Sequence, residues 1–183
     1  MTVQIPDRPH VAIRFSAAEI ATRVEEMATD LATKLPADTL VVSVLKGSFV
    51  FAADLIRALS RAGANWSMDF VTLSSYGTGT KSSGNVRIVR DIVDDVKGRD
   101  VLLVDDILAS GLTLSFAKNL LKERGAHRVW VCTLLVKPHK RRAPLEAAFT
   151  GFRAGDEFLV GYGLDWAHRF RGLPYIGVVE KTA

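Results

Sequence analysis

The stretch that most constrains this chain is Val101-Leu102-Leu103-Val104, followed at once by Asp105-Asp106, Ile107-Leu108 and the small-residue segment Ala109-Ser110-Gly111-Leu112-Thr113. The apolar run is β-branched at both ends and too short for a helix, so it predicts a buried strand over Val101–Val104. Leu114 to Leu121 then carries a helical apolar period. Strand, small-residue loop and helix in that order make the unit of an open α/β sheet, whose ligands bind outside the carboxyl ends of the strands. Such a loop turns backbone N–H groups and the positive end of the helix dipole toward an anion. The two carboxylates, expected where the strand ends, would repel a phosphate. They suit its neighbours: sugar hydroxyls, or a hard Mg²⁺ held through water. On residues alone the stretch reads either as a sugar-phosphate site with a metal or as an ordinary acidic strand end before a glycine turn. It is neither a Walker loop nor a G-x-G-x-x-G dinucleotide loop.

The rest of the chain alternates in the same way. Ser16-Ala-Ala-Glu19 is a capping-box pattern and predicts a helix from there to about Leu35. Thr39 to Val44 predicts a buried strand, and Leu45-Lys46-Gly47-Ser48 turns off its end into a second helix that stops near Gly63. Strands are expected over Met68–Leu73 and Val86–Val89. The Gly-, Ser- and Thr-rich segment between them reads as a mobile loop joining an antiparallel pair. A helix over Leu112–Arg124 and strands over Arg128–Val136 and Phe158–Val160 complete the expected sheet. The fold class is therefore α/β, a mostly parallel open sheet flanked by helices, with right-handed crossovers.

The 183 residues fit a single domain, 1–183, with no repeat, low-complexity tract or linker. No apolar run approaches the roughly 20 residues of a membrane helix, and Met1 to His10 lacks a signal-peptide core. The single cysteine, Cys132, lies in the apolar run Val129 to Val136 and reads as a packed small hydrophobe, in keeping with a reducing cytoplasm. A net charge of +4 is modest and dispersed, so nucleic acid is not an expected partner. The one dense cluster, Lys137-Pro-His-Lys-Arg-Arg142, is either a solvated loop or a lure for a polyanionic substrate.

Five ordered stretches carry a resemblance. They are Leu45-Lys-Gly-Ser48, Ser74-Ser-Tyr-Gly-Thr-Gly-Thr-Lys-Ser-Ser-Gly84, the Val101–Thr113 stretch, Leu134-Leu-Val-Lys-Pro138, and Phe158-Leu-Val-Gly-Tyr-Gly-Leu-Asp165 running to Arg171. Together they resemble the type I phosphoribosyltransferases, and more narrowly the hypoxanthine (6-oxopurine) phosphoribosyltransferase family. The resemblance implies a small hood beside the main sheet and a lid at about residues 74–85, with Ser75 and Tyr76 closing over the reacting centre to exclude water. It implies purine salvage, in which the phosphoribosyl group of phosphoribosyl pyrophosphate (PRPP) passes to a purine base, giving a nucleoside monophosphate and pyrophosphate.

Roles follow residue by residue. Lys46 and Gly47 belong to the pyrophosphate loop, where the family often holds the Leu-Lys peptide cis. Ala109, Ser110, Gly111, Leu112 and Thr113 would bind the 5′-phosphate, and Asp105 and Asp106 would face the ribose hydroxyls and metal. Lys137 would donate to the purine 6-oxo group, since an ammonium cannot accept, which favours hypoxanthine and guanine over adenine. Phe158 would stack on the base and Leu159 would meet it through backbone groups. Asp165 would join Asp105 and Asp106 around Mg²⁺, and the Arg171 fork would hold pyrophosphate oxygens. Asp105, Asp106, Lys137 and Arg171 are the implied catalytic set, and a homodimer or homotetramer is the implied assembly. Without the family, Lys46 and Lys137 read as surface lysines, Phe158 as core, and Trp166 as packing.

One position departs from the family pattern. Ala109 stands where these enzymes usually carry an aspartate that manages the proton on purine N7. Losing a general acid or base costs about 10²–10⁴-fold. Three readings follow: a working hypoxanthine enzyme, an enzyme with altered base preference (adenine or xanthine), or a non-catalytic nucleotide-binding regulator.

Overall fold

A six-stranded sheet in the order β4-β3-β2-β5-β6-β7 forms the centre of the computed structural model, which describes residues 10–75 and 86–180. Its strands are β2 (Leu40–Leu45), β3 (Ser67–Ser75), β4 (Val86–Arg90), β5 (Asp100–Leu108), β6 (Arg128–Val136) and β7 (Phe149–Arg153). All pairs are parallel except β3 with β4. The central strands are apolar on both faces because both faces are covered. Val41, Leu102, Val104, Cys132 and Leu134 pack toward helices α1 (Ala17–Lys34) and α2 (Phe49–Arg61). Val42, Leu103 and Val131 pack toward helix α3 (Leu112–Glu123). Cys132 is fully buried, and burial pushes its thiol up in pKa, so it behaves as a small hydrophobe.

Local signals set the helix ends. Ser16 caps α1 reciprocally with Glu19: its hydroxyl accepts from the Glu19 N–H, and its own N–H donates to the Glu19 carboxylate at 2.8 Å. Apolar positions then repeat on one face of α1, with Ile20, Val24, Met27 and Leu31 all buried.

The structure departs from expectation in three places. Strand β5 runs nine residues to Leu108, so Asp105 and Asp106 lie inside it, not beyond its end. Partner β6 keeps supplying ladder bonds as far as Leu108↔Val136, and backbone pairing outweighs the polar side chains. The predicted strand at Phe158–Val160 does not join the main sheet. Its ordered part, β8 (Leu159–Val160), forms a separate antiparallel sheet in the order β1-β9-β8 with β1 (Val11–Phe15) and β9 (Ile176–Val179). This is the hood. Finally, β1, β7 and β9 carry no strand signal that stands alone. Strand β7 contains Gly151, where a Cβ would lie 2.5 Å from the Leu134 carbonyl oxygen, so its glycine marks close backbone packing and not a turn.

The expected antiparallel pairing is present between β3 and β4, through Ser75↔Val86. The expected lid at 74–85 begins later than predicted, because pairing with β4 keeps Ser74 and Ser75 in β3; the rest of it, Tyr76 included, lies outside the described residues.

Candidate active site

Asp105 and Asp106 both line one cleft beside β5, and Asp106 also faces a second. Both carboxylates are 9% exposed. Asp106 packs against Gly47: a Cβ there would fall 1.8 Å from Asp106 Oδ2, so any side chain at 47 would displace the Asp106 carboxylate. Ahead of α3, Gly111 adopts φ 81° as a left-handed N-cap with no side chain of its own to cap the helix, and Ser110 Oγ accepts from the Leu112 N–H at a long 3.4 Å. The loop is braced from behind, because the N–H groups of Arg142 and Ala143 donate to the Ser110 carbonyl at 2.9 and 3.0 Å. A cleft of about 260 Å³ opens here, and Lys46, Gly47, Asp105, Asp106, Ala109, Ser110, Gly111 and Thr113 line it. Leu112 begins α3 beside this cleft.

The Leu45–Lys46 peptide is cis, and Lys46 is exposed at the mouth. Ser48 holds the turn by donating to the Val44 carbonyl and sharing a 2.7 Å hydrogen bond with Ser43.

A second cleft of about 320 Å³ is lined by Gly47, Asp106, Ile107, Lys137, Phe158, Leu159, Leu164, Asp165 and Arg171. Gly47, Asp106 and Ile107 therefore form the wall common to both clefts. Lys137 is 6% exposed, not solvated. Its ammonium donates to the Glu157 carbonyl, and burial holds its pKa below the usual lysine range, with Lys140 adding to the effect. Phe158 is 54% exposed, so it is not core; its ring stands at the rim. Arg171 Nη2 pairs with Asp165 Oδ1 at 2.7 Å, and Arg171 Nη1 donates to the Gly163 carbonyl at 2.6 Å. Trp166, expected as packing, is 49% exposed and stacks on Phe170 with ring centroids 6.4 Å apart.

Burial pushes both aspartates of the pair above the usual carboxylate range, Asp105 the further because the Asp106 charge adds to it. Arg171 partly offsets this at Asp106.

Residues 16–166 match the phosphoribosyl transferase domain. The chain belongs to the phosphoribosyltransferase family. Among relatives of this phosphoribosyltransferase, the hypoxanthine-guanine phosphoribosyltransferase of Bacillus subtilis (strain 168) is 45% identical over 172 residues, covering 93% of each chain. The hypoxanthine phosphoribosyltransferase of Escherichia coli (strain K12) is 41% identical over 172 residues, 92% of this chain and 95% of its own. A solved hypoxanthine-guanine phosphoribosyltransferase structure from Bacillus anthracis aligns with TM-score 0.87 at 38% identity, over 94% of this chain and 100% of its own.

Two adjacent buried carboxylates inside β5 ask for a positive partner, and their oxygens are the hard donors Mg²⁺ prefers. Among the described residues no three acidic, histidine or cysteine side chains converge into a cage. The phosphoribosyltransferase fits a cation held by one or two carboxylates, with substrate oxygens and water completing the shell. Ser75 closes β3 by its backbone, and Tyr76 lies outside the described residues. Sequence reasoning missed Arg141, Tyr162 and Gly163. The Arg141 side chain packs on Gly111, its Cδ 3.4 Å from where a Cβ would sit, and its buried Nε has no hydrogen-bond partner among the described residues. Its sequence signal was the basic cluster, which does not say which member turns inward.

Proposed function

We propose that this phosphoribosyltransferase transfers the 5-phosphoribosyl group of PRPP to hypoxanthine, and to guanine as a second substrate, giving IMP or GMP and pyrophosphate in purine salvage. One observation carries the reading: two clefts meet at a common wall of Gly47 and Asp106, one edged by the glycine-capped start of α3 and the other by a buried lysine and a rim phenylalanine. The first suits a sugar phosphate and the second a flat base with a carbonyl, so their junction is where a glycosidic bond would form. The names of the Bacillus subtilis and Escherichia coli relatives support hypoxanthine as the acceptor.

In this reading the amides of 109–113 bind the 5′-phosphate, and Asp105 and Asp106 accept from the ribose hydroxyls. The Lys46–Gly47 turn and Arg171 hold the pyrophosphate. Lys137 donates to the 6-oxo group while Phe158 stacks on the ring. N9 of the base attacks C1′, the C1′–O bond to pyrophosphate breaks, and the leaving group departs with that electron pair. The expected trio of Asp105, Asp106 and Asp165 does not converge as a cage, so one or two of these carboxylates would hold Mg²⁺, which when bound would neutralise the pyrophosphate and act as a Lewis acid. Positioning and fixed charge supply the acceleration by the protein's own groups. Ser75 and Tyr76 are assigned to a lid that excludes water. Water or another group takes over the N7 proton in place of a carboxylate at Ala109.

We assign the enzyme to the cytoplasm as a homodimer or homotetramer. Exposed Phe49, Phe70, Val89 and Val93 offer apolar surface for such an assembly, and no helix among the described residues is long and apolar enough to cross a membrane.

The test is nucleotide formation from PRPP and Mg²⁺ with hypoxanthine, guanine, xanthine and adenine in parallel, repeated on Ala109→Asp. Turnover with hypoxanthine by the unaltered chain is expected. Turnover confined to adenine or xanthine would overturn the base assignment. PRPP binding without turnover in either protein would point to a regulator.

A further inference from the structure

The segment that carries Asp165 and Arg171 is held in an unusual way. Tyr162 is a non-glycine residue at φ 49°, flanked by Gly161 at φ 95° and Gly163 at φ 98°. Neither glycine has room for a side chain. A Cβ on Gly163 would lie 2.1 Å from the Gly47 carbonyl oxygen, and one on Gly161 would lie 2.1 Å from that of Tyr175. A left-handed tyrosine persists only where its surroundings over-determine it. Here they do: Tyr162 is 7% exposed, its N–H donates to Leu173 O at 2.8 Å, and its hydroxyl donates to Asp54 Oδ2 on α2. Burial and the Asp54 carboxylate push the phenol up in pKa, so the hydroxyl remains the donor at neutral pH. Helix α2 begins directly after the Lys46–Gly47 turn. The far side of the same loop is closed by Gly163 N–H donating to Arg171 O at 3.0 Å and by Arg171 donating back to Gly163 O.

We propose that Tyr162 and Asp54 are positioning residues forming a latch, which clamps the 161–171 loop of the hood onto α2 and sets Asp165 and Arg171 opposite the Lys46–Gly47 turn. The consequence rests on the reading of that turn and Arg171 as the pyrophosphate site. The latch governs affinity for ligands that carry a pyrophosphate and spares those that do not. The base contacts assigned to Lys137, Phe158 and Leu159 lie before this loop and are supported by β6 and the hood sheet.

The test compares Tyr162→Phe, Asp54→Ala and Asp54→Asn with the unaltered protein. Asn can still accept the tyrosine's hydrogen bond. Two readouts are needed: hydrogen exchange of the 161–171 amides in the ligand-free protein, and the Kd values of PRPP with Mg²⁺ and of IMP. Losing a hydrogen bond to a carboxylate is expected to speed exchange and to raise the Kd for PRPP by roughly tenfold or more in Tyr162→Phe and Asp54→Ala. Asp54→Asn should stay close to the unaltered protein, and the Kd of IMP should move by no more than about twofold in all three. Unchanged exchange in Tyr162→Phe, or an Asp54→Asn as damaged as Asp54→Ala, would overturn the latch. Equal weakening of PRPP and IMP would also overturn it, by showing a general structural role. An unaltered protein that fails to bind PRPP would overturn the proposed function, while exchange would still decide the latch.

Discussion

The two ends of the site are built by different means. The phosphate end grows from the central parallel sheet: β5 delivers Asp105 and Asp106, and Gly111 caps the start of α3. Its assigned ligands are mostly backbone groups, tolerant of side-chain change as long as the glycines remain. The base end is assembled from the end of β6 and a two-residue strand of the hood; the loop that follows, with four non-glycine residues at positive φ (Tyr162, Ala167, His168 and Phe170), carries Asp165 and Arg171. Apart from the Leu159 backbone, the base end's assigned ligands are side chains. Base preference can thus be altered by single substitutions that leave the phosphate end intact, whereas the shared wall of Gly47 and Asp106 cannot change without affecting both.

Substitutions that separate the ends test this directly. Asp106→Asn removes charge from the shared wall and should lower kcat/KM by on the order of 10³ for every base, with KM for PRPP and for base both affected. A loss confined to one substrate would break the idea of a common wall. Lys137→Met takes away the base-end donor. It should raise KM for hypoxanthine by roughly 10–100-fold while leaving KM for PRPP within about twofold, and it should weaken the discrimination against adenine. Phe158→Ala should raise KM for the base by about tenfold, the scale of one aromatic stack, again sparing PRPP. A comparable rise in KM for PRPP would show that the two ends are not separable.

The smallest effect concerns stability. Burial and Asp106 raise the folded-state pKa of Asp105 above that of the unfolded chain. The stability this group contributes is therefore complete below the unfolded value of about 3.9 and is lost as pH rises through the folded value. Asp105→Asn cannot ionise and escapes that loss. Its Tm should match the unaltered protein at acid pH and exceed it by a few degrees at neutral pH, with activity reduced. A Tm gap that narrows toward neutral pH would contradict the assigned burial penalty.

Much of this molecule was legible in the chain because the signals are local. Ser16 and Glu19 mark the start of α1 within four consecutive residues, and the apolar run Val129 to Val136 could hardly be other than a buried strand. The acidic pair and the small-residue loop after it are a local signal of the same kind, and they line the cleft proposed for the phosphate. Where the reading failed, the deciding partner was distant in sequence. Strand β5 continues through its aspartates because β6 does, and β1 is a strand because Val11 meets Val179. Phe158–Val160 has an ordinary strand pattern, which cannot say which of two sheets it will join.

By itself the sequence determined the three helices, the strands β2 to β6 and their order, since propensity, capping and apolar period act within a few residues. The tertiary structure decided which of them meet. It brought Gly47 against Asp106, turned Lys137 inward from a basic cluster, stood Phe158 at a rim and not in the core, and hung Tyr162 from Asp54. Those contacts join residues far apart along the chain, and the free energy that selects them comes from burying two faces of a sheet at once, a quantity no local window contains.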